Sequence, residues 1–196
     1  MKIWIPTIVY LAIQSITPGP NNLTCLYLGG THGIRGTGKF LTASMLSLFV
    51  KSFLCGALNL ALNSIIPTVF GWIKWIGAAY LLYLAWKIGK SGWESEHEEE
   101  ISKETASYKD GVILQIFNAK SWIASVSAFA VYVIPISPKL SAVFWISLVF
   151  VFLAFVSSLI WALCGSTLKK LIAKYRKPFG TIMGFSLVYC AVSAIL

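Results

Sequence analysis

The stretch Thr17-Pro18-Gly19-Pro20-Asn21-Asn22 interrupts a run that is otherwise apolar from residue 3 to residue 28. Two prolines and a glycine within four residues remove backbone donors and prevent a continuous α-helix. In hydrocarbon, an unpaired backbone group costs several kcal/mol unless protein or cavity water satisfies it. A helix that is broken at membrane depth is therefore a candidate ligand site.

The composition is that of a membrane protein. Of the 196 residues, 57% are hydrophobic and 12% are charged, whereas soluble domains have about 45–50% and about 25%. The net charge of +9 could suggest nucleic-acid binding. The cations lie between apolar runs, however, where membrane topology accounts for them. We therefore predict a polytopic protein in the lipid bilayer, with no nucleic-acid partner.

Six segments are apolar and close to the 20 residues that a membrane-spanning helix needs. They cover approximately residues 3–28, 39–65, 69–89, 111–134, 140–164 and 179–196, which makes the predicted fold class all-α. About eleven lysines and arginines lie in the first, third and fifth connections, and about three on the opposite side. Because cytoplasmic loops are enriched in these cations, we place both termini outside.

A long polar segment divides the six spans into two groups of three. It covers residues 91–107, and all seven acidic residues lie in it or beside it. We interpret it as a solvated cytoplasmic linker; a regulatory or cation-binding role for His97 and the glutamates is the alternative. Three spans per half invert the second half relative to the first, as in many transporters. The prediction is one transmembrane domain, 1–196, with repeat one (1–90), the linker and repeat two (108–196).

Inverted repeats predict an irregularity in the first span of each half. The first span has residues 17–22, and the fourth has Asn118 and Lys120 in its most polar patch. At about 1.5 Å per residue, Pro18, Lys51 and Lys120 lie roughly 15, 18 and 14 Å inside their spans. We therefore predict that these features meet near the bilayer midplane.

The helix that restarts after the first break determines the chemistry we expect there. With Thr17 or Gly19 as N-cap and the following proline at the first helical position, its N-terminus presents free N–H groups and a positive dipole end. Such an end binds a carboxylate or a phosphate. Asn21 and Asn22 add side-chain donors and acceptors. The alternative is a kink that only fits a neighbouring helix.

Lys51 and Lys120 are intramembrane cations and hence functional candidates, with snorkelling or pairing to backbone carbonyls as the alternative. No acidic residue lies inside a predicted span, so the coupling ion, a proton or another, stays open. We find no catalytic triad, phosphate loop or metal-ligand spacing, and predict no enzyme, no cofactor and no metal site. Gly180 and Gly184 form a GxxxG pattern, for which we expect helix packing, with a homodimer as the alternative.

Residues 17–22, followed by His32-Gly33-Ile34-Arg35, resemble the signature of the lysine exporter superfamily, in its homoserine/threonine-resistance (RhtB-type) branch. Further matches are residues 75–81 with 85–87, and 111–120; residues 187–192 look especially like the cysteine/O-acetylserine exporters of that branch. The resemblance implies a bacterial inner-membrane amino-acid exporter with residues 17–22, Asn118 and Lys120 in its pathway. That family usually has proline where this chain has Ala119, so we expect the fourth span to stay more helical.

The combined prediction is an exporter of small neutral amino acids or derivatives, of the cysteine, O-acetylserine, homoserine or threonine type. It would work by alternating access around a site between spans one and four. The substrate carboxylate would lie near residues 19–22, and carbonyls freed by the break, with Asn118, would bind the ammonium. A channel, a metal-ion exporter and a membrane scaffold are the alternatives. The lack of intramembrane acids and histidine argues against a metal ion.

Overall fold

The computed structural model describes residues 4–61, 75, 79, 82–86, 88–90 and 107–195, and its regular elements are helical. The predicted third span and nearly all of the predicted linker lie outside these residues or are described only in short pieces. The helices are α1 (Ile5–Ile16), α2 (Pro20–Ala61), α3 (Tyr108–Phe117), α4 (Ala119–Ser127), a π-helical segment (Ala128–Val133), α5 (Leu140–Thr167), α6 (Lys169–Lys174) and α7 (Arg176–Ile195).

The described helices are consistent with an all-α membrane protein. Among them, α2 and α5 are long and apolar enough to cross a bilayer, and α3 with the helix Ala119–Val133 forms a bent pair that counts as one further span. Helix α1 is apolar but shorter, and α7 coincides with the predicted sixth span. The arrangement as six spans in two inverted repeats stays a prediction.

The predicted connection between spans one and two is largely helical in the structure. Helix α2 runs through it for 42 residues, interrupted at Gly33, which has φ 72° and ψ 177°. A straight helix of this length would measure about 63 Å, roughly twice the thickness of the hydrocarbon core. The left-handed backbone of Gly33, which glycine adopts without a Cβ penalty, divides α2 into two shorter helices.

Helices α2 and α5 form the main packing contact, and glycines bring them close together. A Cβ atom on Gly29 would overlap the Ala162 carbonyl, and one on Gly165 would overlap the Leu26 carbonyl. Gly184 of the GxxxG pattern faces the Ala85 carbonyl. This contact within the chain agrees with the packing interpretation of that pattern. Small residues are the usual means by which membrane helices approach each other.

The apolar core has two clusters, and a polar cavity lies where they meet. One cluster includes Leu28 and Phe40, and the other includes Phe129 and Val143. Residues of both clusters line the cavity, among them Met45 of the first and Leu48 and Phe150 of the second. The polar side chains that line this cavity are therefore enclosed by packed helices.

A candidate substrate site between two broken helices

The first predicted break is confirmed. Helix α1 ends at Ile16, and Thr17 is extended, with φ −62° and ψ 145°. Helix α2 begins at Pro20, and the Leu23 N–H donates to the Gly19 carbonyl at 2.9 Å. Of the two predicted N-caps, Gly19 therefore has this position, with proline following it, whereas Thr17 ends the preceding helix.

A second break lies in the fourth predicted span, at Asn118. This residue has φ −76° and ψ 94°, ends α3 and precedes α4. The axis of the helix bends by 56° at this break. The expectation that Ala119 keeps this span more helical is therefore wrong. The break has no proline: the Asn118 carbonyl accepts the N–H groups of Ser121 and Trp122, at 3.1 and 3.2 Å, and α4 starts there.

Side chains satisfy the carbonyls at the end of α3. The Lys51 ammonium, on a side chain only 5% exposed, donates to the Gln115 carbonyl at 2.7 Å and to the Ser121 hydroxyl. The indole N–H of Trp122 donates to the Ile116 carbonyl at 2.6 Å. These contacts replace hydrogen bonds that the helix interruption removes. Lys51 therefore pairs with one backbone carbonyl and one hydroxyl and does not line the cavity described below.

Lys120 has the corresponding role at the end of α1. Its ammonium donates to the Thr17 carbonyl at 2.8 Å, the Thr17 hydroxyl at 2.7 Å and the Pro18 carbonyl at 3.3 Å. The indole of Trp161 donates to the Ile16 carbonyl at 3.3 Å. Each break thus has one lysine and one tryptophan on its freed carbonyls. Two carbonyls that we expected to receive the substrate ammonium therefore already bind the Lys120 ammonium in this structure.

The two asparagines after the first break have different environments. The Asn22 amide donates to the Ser15 carbonyl at 2.7 Å and to the Thr17 carbonyl at 3.1 Å, so that it ties α2 back to the end of α1. The Asn21 amide donates to the Ser158 hydroxyl of α5 at 2.7 Å. Asn22 therefore supports the break, whereas Asn21 links it to the neighbouring helix.

A cavity of about 50 Å³ lies between the two breaks. That volume has room for a few water molecules. Three of its lining residues carry an amide oxygen that has no hydrogen-bond partner among the described residues, namely Asn21, Gln115 and Asn118. Lys120 also lines the cavity, and none of the described residues around it is acidic. The site therefore combines one cation with uncharged acceptors.

A second, more open cavity of about 280 Å³ lies on another side of the same breaks. It is lined by Pro18 and Pro20 and, from α7, by Tyr189 and Cys190. The two cavities have four lining residues in common, which are Gln14, Gly19, Asn118 and Lys120. These four residues therefore form the partition between the two spaces.

The two cavities bring together seven of the nine predicted site residues, which are Pro18, Gly19, Pro20, Asn21, Asn22, Asn118 and Lys120. Lys51 lines neither cavity. Thr17 lines neither of these two cavities, but it contacts Lys120 directly. Sequence reasoning missed Gln14, Gln115 and Ser158. The available signal was a polar side chain inside an otherwise apolar span. In the described part of the chain, no group of three or more histidine, cysteine or acidic residues could hold a metal ion.

The chain resembles known transport proteins along nearly its whole length. Residues 12–196 match the family model of the LysE type translocators. Proteins named cysteine/O-acetylserine efflux protein from Escherichia coli K12 and Shigella flexneri are 31% identical over 183 residues, which is 93% of this chain and 92% of each relative. No solved structure shows significant similarity. Membership of a translocator family accords with the prediction that the chain is not an enzyme. The chain belongs to the LysE type translocator family.

Proposed function

We propose that this chain exports small neutral amino acids or their derivatives across the bacterial inner membrane, by alternating access at the cavity between the two breaks. The observation on which this depends is the environment of Lys120. Its ammonium lies between two cavities, and its three acceptors are uncharged oxygens. An intramembrane cation of this kind attracts an anionic group, and every amino acid carries a carboxylate.

The carboxylate would bind beside Lys120 at the start of α2. Gly19 is the N-cap there, and the N–H groups of Asn21 and Asn22 belong to the first turn, which has no intrahelical acceptors. The helix dipole adds to the charge of the ammonium. On binding, the carboxylate would compete with the carbonyls of Thr17 and Pro18 for Lys120. This competition would link substrate binding to the geometry of the first break.

The ammonium would bind to amide oxygens on the other side of the cavity. Asn118 is 4% exposed, and its side-chain oxygen has no hydrogen-bond partner among the described residues. Because no described residue that lines the cavity is acidic, a second positive charge on the substrate would stay uncompensated. Lysine and arginine are therefore disfavoured, which agrees with the names of the efflux proteins that this chain resembles.

Alternating access is supported by the size and position of the two cavities. A space of about 50 Å³ is too small for a molecule as large as threonine, so the surrounding helices must separate before it can bind. The residues of the partition join two broken helices, and in many transporters broken helices form the substrate site around which bundles of helices move. Both termini would lie outside, and a proton or another ion gradient would drive export.

Proteoliposome counterflow tests this proposal. Vesicles loaded with unlabelled O-acetylserine, threonine or cysteine should accumulate the same labelled compound transiently and saturably. In a separate experiment, an uncoupler added to cells that express the protein should reveal any dependence of export on the proton gradient. Replacing Lys120 by Met should reduce counterflow by at least about tenfold, since a hydrogen bond to a charged group contributes about 1.5–3 kcal/mol. The matched control is Lys139→Met, which removes an exposed cation before α5.

Three results would overturn the proposal. Non-saturable flux would identify a channel, and no flux with any neutral amino acid would leave a scaffold. Undiminished counterflow in the Lys120→Met protein would show that the carboxylate binds elsewhere.

A further inference from the structure

We propose that Gln115, at the end of α3, binds the substrate ammonium and determines the preference for a single positive charge. This inference rests on the proposed function, and it assigns a role to a residue that was not among the predicted site residues. It concerns recognition of the amino group, whereas Lys120 concerns recognition of the carboxylate. The two can therefore be tested separately.

The first observation is an unsatisfied acceptor. Gln115 is 2% exposed and lines the cavity between the breaks, yet its side-chain oxygen has no hydrogen-bond partner in the described part of the chain. A buried polar group without a partner is costly. If the glutamine only filled space there, leucine could replace it without loss of stability or substrate binding. A ligand with N–H donors removes the cost when it enters the cavity.

The second observation is that the position of Gln115 is well defined. Its backbone carbonyl accepts the Lys51 ammonium at 2.7 Å, and Lys51 also donates to Ser121 beyond the break. This buried contact holds the last turn of α3 against α2 and α4. The Gln115 side chain therefore starts from a constrained backbone, which favours binding because less freedom is lost.

The third observation is that Gln115 has two companions of the same chemistry. Asn118 and Asn21 also line the cavity, and each has an amide oxygen without a described partner. A primary ammonium has three N–H donors and no acceptor. Three uncharged oxygens can therefore match one ammonium, but they do not compensate a second positive charge.

The experiment measures binding to the purified full-length protein by titration calorimetry. Three amino acids are each paired with the analogue that lacks the amino group: alanine with propionate, threonine with 3-hydroxybutyrate, and cysteine with 3-mercaptopropionate. Gln115→Leu should weaken binding of the amino acid by about 10- to 100-fold. The same change should leave binding of the matched analogue within about twofold. The affinity ratio within a pair therefore reports on the ammonium alone.

A second variant identifies the direction of the hydrogen bond. Gln115→Glu has only acceptors when it is ionised, so it should still bind the amino acid and should bind 2,3-diaminopropionate more tightly than the wild type does. If the Gln115 side chain instead donated to the carboxylate, the glutamate would repel both members of every pair. The matched control is Ser147→Ala, which removes a fully buried hydroxyl that lies outside this cavity and has no partner among the residues that the structure describes.

The outcomes separate this inference from the proposed function. If no amino acid of the panel binds to the wild type, the proposed function fails. If the wild type binds an amino acid but Gln115→Leu changes neither partner of the pair, or weakens both equally, the role of Gln115 is refuted while the exporter proposal stands.

Discussion

Replacing Lys51 by Met tests whether a buried cation stabilises the second break. Methionine keeps an unbranched apolar side chain of similar length and removes the ammonium. The Gln115 carbonyl then loses its partner at 2.7 Å. The Ser121 hydroxyl loses a donor but still donates to the Asn118 carbonyl at 2.9 Å. A contact with the Trp122 ring, 5.4 Å from the ammonium to the ring centroid, is lost as well.

The expected loss follows from the unsatisfied carbonyl. A buried acceptor without a partner costs about 1–3 kcal/mol, whereas removing the buried charge returns part of its desolvation cost. We expect the free energy of unfolding to fall by about 1–3 kcal/mol. For a chain of this size, each kcal/mol corresponds to roughly 2–4 °C in Tm. The melting temperature should therefore fall by about 2–12 °C.

Thermal unfolding of the purified protein, followed by tryptophan fluorescence, measures this change. Lys139→Met is the control because it removes an exposed cation. A Lys51→Met protein that is as stable as wild type, or more stable, would refute the reasoning. It would show that desolvation of the ammonium outweighs the hydrogen bonds that it makes.

Two further predictions concern the first break and the packing of α2 on α5. Asn22→Asp replaces the amide that donates to the Ser15 and Thr17 carbonyls with an acceptor. We expect it to reduce the yield of folded protein in size-exclusion chromatography more than Asn22→Ala does, and equal yields would contradict this role. Gly29→Ala should lower stability by about 1–3 kcal/mol, because its Cβ would overlap a carbonyl of α5. Its control is Gly38→Ala, where a Cβ meets no atom within 4 Å, and an equal Tm for the two proteins would contradict the close approach of the helices.

The two breaks differ in how well the local sequence predicts them. At residues 18–20, two prolines and a glycine exclude a regular helix whatever the rest of the chain does, so this break was predictable. At Asn118 the local sequence contains no proline, and Ala119 favours helix. There the interruption is supported by Lys51, which lies 64 residues before Gln115 and donates to the Gln115 carbonyl. A contact between distant residues leaves no local pattern.

By itself, the sequence determined the membrane class, the first break and the family, because composition, proline positions and motif spacing are properties of the chain order. Only the tertiary structure decided that Lys120 binds the carbonyls of Thr17 and Pro18 and that Lys51 supports a second break. It also decided that Gln115 lies beside a cavity with an oxygen that has no partner among the described residues. Each of these depends on which helices meet at one depth. That is set by the packing of whole helices, in which glycines such as Gly29 and Gly165 allow backbones to approach.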